Sequence, residues 1–252
     1  MSRTVTYSAL VLRNRSSGES NSEVTLLTAE EGIIRATVFG GAKSKLRAHS
    51  APYNSGQVWI YRDKNKDYAY GHAKLSDFDV HAWRAGIREL YERTMAASAI
   101  AQTILYSHGG GGDWGSAFKL AVNTLDTLES ANEELCTRLL IHFLWRWAGF
   151  LGIQPHIERC AACGKEENNT PLWFCTRENG VLCAACLQNS QSALSPLLLN
   201  PGCRHWLSAA GELEPEFVPR YLMDNKSTNE AKSLTTAVLS GVLEKQLTSW
   251  NW

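Results

Sequence analysis

Two C-x-x-C pairs, Cys160-Ala-Ala-Cys163-Gly164 and Cys183-Ala-Ala-Cys186, lie nineteen residues apart and constrain this chain more than any other stretch. The interval falls within the window of a four-thiolate zinc site. Two intervening residues let a tight turn aim both sulfurs at one ion, and Gly164 can take the positive φ that such a turn often needs. Four sulfurs fill the tetrahedral shell that Zn²⁺ favours, leaving no position for water or substrate. One structural Zn²⁺ on Cys160, Cys163, Cys183 and Cys186 is the expectation, with free or disulfide-bonded cysteines as the alternative. Cys136, Cys175 and Cys203 read as core or surface thiols, although Cys175, between the pairs, could compete for metal.

At 252 residues the chain has room for two domains with their own cores. No apolar run approaches the roughly 20 residues of a membrane span. The N-terminus, Met1-Ser-Arg-Thr-Val-Thr-Tyr7, goes straight into alternating residues without a secretory apolar region, so a cytoplasmic location and no membrane partner are expected. In that compartment thiols stay reduced, which favours metal over disulfides. Net charge is zero but unevenly placed: residues 1–75 carry eleven Lys/Arg against six Asp/Glu, +5, and the remainder is −5. A basic N-terminal module on a neutral chain points to a polyanion-facing surface.

Residues 4–13, 24–28, 33–39, 58–62 and 68–75 read as five short strands rich in β-branched, aliphatic and aromatic residues. Glu31-Gly32 marks a hairpin, and a longer loop follows Gly40-Gly41. Five strands of this kind suit a small closed barrel of the OB type, and an SH3-like barrel gives much the same pattern. The period then becomes helical. Ile87, Leu90, Tyr91, Thr94, Ala97, Ala101 and Ile104 predict a helix over about 81–107, and Phe118, Val122, Leu125 and Leu128 another. Gly109 to Gly112 form a loop between them. Ser130-Ala-Asn-Glu133 looks like a capping box for a helix over 135–147. Trp173 and Phe174 are assigned to packing against the helices, and further helices are expected at about 203–210 and 228–247. The fold class is thus α+β. An OB-type barrel at 1–79 precedes a helical domain at 80–252, which carries a zinc ribbon-like insertion at about 156–190.

The segment Phe39-Gly-Gly-Ala-Lys43-Ser44-Lys45-Leu46-Arg47 is the best candidate for nucleic-acid contact. Three cations on one loop can neutralise successive phosphates, while Ser44 and glycine amides donate hydrogen bonds. Phe39, Tyr53, Trp59, Tyr61, Tyr68 and Tyr70 could supply stacking faces, with at least half of them expected to be buried. His156-Ile-Glu158 ahead of Cys183-x-x-Cys186 is similar to the signature of zinc nucleobase deaminases. Leu182 stands where that signature has proline, however, and the pair at Cys160 and Cys163 would be left over. No phosphate loop, dinucleotide fingerprint or nucleophile elbow occurs, so an enzyme is not expected.

With these residues assembled, the chain resembles the bacterial RecO family of recombination mediators. The resemblance covers most of the chain. It rests on Ala9-Leu-Val-Leu-Arg13 with Gly18-Glu19, then Leu26-Leu-Thr28 with Gly32, then Phe39 through Arg47 and Pro52-Tyr53. It continues through Gly86-Ile-Arg88, Gly149-Phe-Leu-Gly152 with Pro155, and the four knuckle cysteines. The resemblance implies an OB-fold, a helical domain and, where the cysteines are present, a zinc ribbon-like insertion. It also implies binding of single- and double-stranded DNA, annealing of complementary strands, engagement of the C-terminal tail of single-strand-binding protein, and work with RecR to load RecA. On this basis Arg13, Arg35, Lys43, Lys45 and Arg47 are the DNA-contact candidates, in a protein of the bacterial nucleoid. A zinc-ribbon interaction module of transcription or translation is the other reading that the same residues allow.

Overall fold

The computed structural model describes residues 3–17, 20–40, 44–62, 73–189 and 195–243. The first five strands are β1 (Arg3–Ser17), β2 (Asn21–Thr28), β3 (Gly32–Val38), β4 (Ser55–Arg62) and β5 (Lys74–Ala82). They close into a barrel in the order β1-β2-β3-β5-β4, with β1 paired to β4 and a single parallel contact, Thr37 with Lys74, joining β3 to β5. This five-stranded closed order is the OB arrangement, which strand counting could not separate from an SH3-like barrel. The alternation of side chains fills the interior with Val11, Val24, Leu26, Ile60, Leu75 and Phe78. The fifth strand runs to Ala82 rather than ending at Leu75, because its partner β4 offers pairing residues back to Ser55.

β3 stops at Val38, and beyond Lys74 the edge of β5 has no strand neighbour on that side among the described residues. A short helix, α1 (Lys45–His49), lies there in place of the expected loop. Leu46 packs into the barrel core, and the His49 ring nitrogen Nδ1 donates to the Phe78 carbonyl on β5 at 2.8 Å. Asn14 and Asn54 hold the C-terminal end of α1 through Ser50, Ala48 and His49.

After β5 a 3₁₀ turn at Ala85–Glu89 leads to α2 (Tyr91–Tyr106), α3 (Trp114–Leu128) and α4 (Glu133–Phe150). The helix expected from residue 81 therefore begins ten residues later. The cap of α4 is Asn132, whose side chain accepts from the Leu135 amide at 3.0 Å, and not Ser130. Leu139, Leu140, Ile141, Phe143, Leu144 and Trp147 are all buried, so α4 is covered on every side by α2, α3 and the later helices. The glycine loop lets the chain pass close to this helix: a Cβ at Gly111 would sit 2.1 Å from the Phe150 carbonyl.

The cysteine segment follows. Its strands β6 (Leu172–Cys175), β7 (Gly180–Leu182) and β8 (Leu197–Leu199) form a three-stranded sheet in the order β7-β6-β8. A one-turn helix, α5 (Ala184–Gln188), starts at Cys183. Leu172, Phe174 and Leu199 join the helical core, as expected of Phe174, while Trp173 is half-buried. The chain continues through α6 (Pro201–Ala210), a 3₁₀ turn at Pro215–Arg220 and α7 (Asn225–Ser240). No helix among the described residues is long and apolar enough to cross a membrane.

Candidate nucleic-acid interface and metal centre

The outer face of β1-β2-β3 has two halves. In the lower half Leu10, Leu27 and Ile33 lie in register across the three strands and pack on the helical domain. One step further along the same face stand Arg13, Thr25 and Arg35, again in register. A bulge between Val11 and Arg13 makes this row possible. Without it the alternation of β1 would turn Arg13 toward the interior; with it, Asn14 points in instead, opposite Val24. Strands are spaced by about 4.8 Å, so the two arginines start roughly 10 Å apart.

The electrostatics confirm the grouping. Arg13 is held below the usual guanidinium range, first by burial and then by repulsion from Arg15 and Arg35. Between the two arginines Thr25 is 1% exposed, and its buried hydroxyl has no hydrogen-bond partner among the described residues. Glu23, opposite Arg15, offsets part of this charge, and the net cationic face around Arg13 and Arg35 suits the oxygens of an anion such as a phosphate. Arg62 is different: it is engaged by Glu31 at 2.5 Å and lies over the Tyr7 ring.

Lys45 and Arg47 are exposed on α1, at the end of the barrel where Asn14 ties β1 to Ser50. They are thus carried by a helix, with Leu46 between them as its anchor. Lys43, Tyr68 and Tyr70 lie outside the described residues. Of the other four aromatics, Phe39 is exposed and Tyr53, Trp59 and Tyr61 are half-buried, so none is buried and the expectation of a buried half fails for the described ones.

The second centre is the cysteine cluster. The sulfurs of Cys160, Cys163, Cys183 and Cys186 all lie within 4.8 Å of one another, with Cys163 and Cys183 4.0 Å apart. A tetrahedron with Zn–S bonds of ~2.3 Å has edges of about 3.8 Å, so the set has the dimensions to hold one such ion. Gly164 closes the first turn at φ +72°, and its amide donates to the Cys160 carbonyl. The Cys183 amide donates to the Cys160 sulfur at 3.4 Å. Burial acts to raise the Cys160 thiol, but the amides of Cys183, Cys163 and Ala162 outweigh it together and bring it to about 6. Cys186, hydrogen-bonded to Cys183, Cys163 and Cys160, is pushed up to about 12. Four adjacent thiols cannot all ionise without a cation among them, so the arrangement fits a dication. His156 is not part of the cluster, and Cys175 is turned away, its thiol buried and directed at the Trp173 carbonyl.

Two buried arginines frame these centres, and sequence reasoning missed both. Arg204 on α6, 2% exposed, donates to the carbonyls of Ile157, Glu167, Asn168 and Thr170, and so holds the segment around the first knuckle from below. Arg84, 1% exposed, sits in the left-handed conformation at φ +44°. It ties Tyr53 and Ser55 of the barrel to Asp126 of α3, at 2.6, 2.9 and 2.8 Å. No local pattern announces such residues, because all their partners are distant in the chain.

Comparison with known proteins agrees with this architecture. The family described as "Recombination protein O N terminal" matches residues 1–76, and "Recombination protein O C terminal" matches residues 88–251. The chain is 26% identical to the DNA repair protein RecO of Desulfitobacterium hafniense strain DSM 10664 / DCB-2, over 96% of this chain and 86% of that one. It is also 26% identical to the DNA repair protein RecO of Pelotomaculum thermopropionicum, covering 96% and 90%. With the RecO protein of Exiguobacterium sibiricum it shares 27% identity over 74% and 72%. Both halves of the family are thus matched in order by the barrel and by the helical domain with its cysteines, and the chain belongs to the RecO family of DNA repair proteins.

Proposed function

We propose that this protein is a non-enzymatic recombination mediator. It binds single- and double-stranded DNA, anneals complementary strands, engages the C-terminal tail of single-strand-binding protein and, with RecR, helps to load RecA. The observation that carries the DNA-binding part is the row of Arg13, Thr25 and Arg35 with Arg15 beside it, on the outside of a closed barrel. Phosphate contacts of this kind do not read sequence, which suits a repair protein whose substrate lies wherever damage falls. Neutralising two strands on one cationic face lowers their mutual repulsion, so annealing needs no nucleotide hydrolysis. The DNA-contact set is Arg13, Arg35, Lys43, Lys45 and Arg47, and the protein acts in the cytoplasm at the nucleoid.

In the same proposal Cys160, Cys163, Cys183 and Cys186 hold one structural Zn²⁺. Their matched spacing and shared sulfur chemistry support it. The barrel domain is taken as residues 1–79, the helical domain as 80–252 and the zinc insertion as about 156–190. The ion would supply no chemistry beyond fixing the knuckles, because four sulfurs complete its shell. The test is annealing of complementary oligonucleotides by the purified protein without ATP, together with metal analysis and capture of RecR. Faster annealing, one zinc per chain and a RecR complex are expected. Absence of both annealing and RecR binding, with zinc retained, would instead favour a zinc-ribbon interaction module.

A further inference from the structure

The helical domain holds a cleft that neither the arginine row nor the cysteines use. It has a volume of about 480 Å³, within the range of ligand sites. Its walls are α4, the end of α6 and the segment that leads into the first knuckle. Trp145 of α4 lines it and is 3% exposed. A buried indole N–H normally finds an acceptor. Those of Trp147 and Trp206 do, at the Ser107 hydroxyl and the Tyr221 carbonyl. The Trp145 N–H has none among the described residues. Its Nε1 lies beside Gly211 on the cleft wall, 4.0 Å from where a Cβ on that glycine would stand. The donor is therefore placed for an acceptor that the cleft itself does not supply.

The rim is acidic. Glu158, Glu166 and Glu212 are exposed around it, with Arg159 the one Lys or Arg among its described lining residues. Glu158 accepts from the Ser208 hydroxyl. The Glu166 and Glu212 carboxylates have no hydrogen bond or ion pair among the described residues. Gly211 and Glu212 also end α6, so the helix C-terminus adds partial negative charge at the same place. An occupant thus needs cations for the rim and a neutral acceptor for the indole. DNA is repelled here, since its acceptors are anionic. A peptide carrying Arg or Lys has both parts: a charged side chain for the carboxylates and a backbone carbonyl for Trp145.

We propose that this cleft docks a basic peptide segment of a partner protein, with Trp145 reading its backbone and Glu166 and Glu212 its charge. The proposal is independent of the DNA-binding reading above. The test is binding of a labelled tetra-arginine peptide by the full chain and by Trp145→Phe, Glu166→Gln/Glu212→Gln and Glu133→Gln/Glu134→Gln proteins, the last pair exposed on the first turn of α4. Saturable binding by the wild type is expected, with none of a tetra-glutamate peptide. Trp145→Phe should weaken it by about 2- to 12-fold, the range for one hydrogen bond. Glu166→Gln/Glu212→Gln should weaken it by about 2- to 30-fold, while Glu133→Gln/Glu134→Gln changes nothing. Single-stranded DNA affinity should equal the wild type's in every variant. No peptide binding by the wild type overturns the proposal, as does equal weakening by both carboxylate pairs, which is attraction to any acidic surface. Weakening by Glu166→Gln/Glu212→Gln alone, with Trp145→Phe folded and unchanged, also overturns it, because the cleft then holds a cation and reads no backbone. Both carboxylates are exposed, so their variant decides the matter of charge even where Trp145→Phe lowers the melting temperature.

Discussion

The barrel and the cysteine segment solve the same problem in opposite ways. The barrel closes on itself through its strand pairs, with α1 against the part of the β5 edge that β3 does not pair, and its interior is filled by Val11, Leu26, Ile60 and Phe78. Arg13, Arg35, Lys45 and Arg47 take no part in that interior and face outward. The cysteine segment has three strands of four residues or fewer, and their apolar residues, Leu172, Phe174, Val181 and Leu199 among them, are buried in the helical core rather than in a closed core of their own. It depends on four sulfurs and on Arg204 reaching up from α6. Polar groups are thus spare in one region and indispensable in the other. Substitutions should therefore damage folding in the second region and binding in the first.

The largest effect is expected at the cysteines. Cys160→Ser, or removal of metal by a chelator, should cost several kcal/mol, because ligation energy in small metal-bound segments is folding energy. The readout is thermal unfolding with helicity, and the barrel's strand signal should persist after the helical signal has weakened. Unchanged solubility, helicity and melting temperature would remove the metal from the account. Next comes Arg204→Met, which leaves the buried carbonyl of Ile157 and the part-buried carbonyls of Glu167 and Thr170 without this donor. Each such group costs about 1–3 kcal/mol, so denaturant unfolding should show a loss of about 3 kcal/mol or more. A loss under 1 kcal/mol would mean that the knuckle stands on its sulfurs alone.

Acid should separate the regions again. His142 on α4 is fully buried and its Nε2 donates to the Leu213 carbonyl at 2.7 Å, while Nδ1 has no partner among the described residues. Burial pulls it down to about 4. Its unfolded value is about 6.5, so below that pH the unfolded chain takes up the proton first and stability falls. The loss accumulates from pH ~6.5 to ~4 and reaches about 3 kcal/mol. His142→Gln, which can still donate to Leu213, should flatten that limb. An acid limb of unchanged steepness would place the sensitivity elsewhere. A smaller effect belongs to the cap of α4: Asn132→Ala should cost about 1 kcal/mol. Ser130→Ala should cost close to nothing, and the reverse ranking would restore the capping box.

That last pair also shows where sequence reading ends. The four cysteines were legible because metal geometry fixes their spacing locally, and Gly164 takes the positive φ that the turn required. Five strands were legible from composition, and their closed order decided between two barrels that look alike in one dimension. The outward position of Arg13 was not legible, because it depends on a bulge that appears only when β1 is paired with β2. α1 read as a loop, since five residues carry too little periodicity and its anchor is the barrel core against which Leu46 packs. β8 is three leucines whose strand character comes from pairing with β6. Arg84 and Arg204 gave no signal at all, since an arginine is normally a surface residue and only tertiary partners make it a core one.

The most direct test of the central claim is the salt dependence of DNA binding by an Arg13→Ala/Arg35→Ala protein beside the wild type. Stability should stay within about 0.5 kcal/mol, as for surface positions generally. Affinity for single-stranded DNA should fall, and the log–log salt slope should drop by about 1.4, at ~0.7 for each lost phosphate contact. Equal affinity and slope in the two proteins would contradict the account and remove the barrel's arginine face from DNA binding.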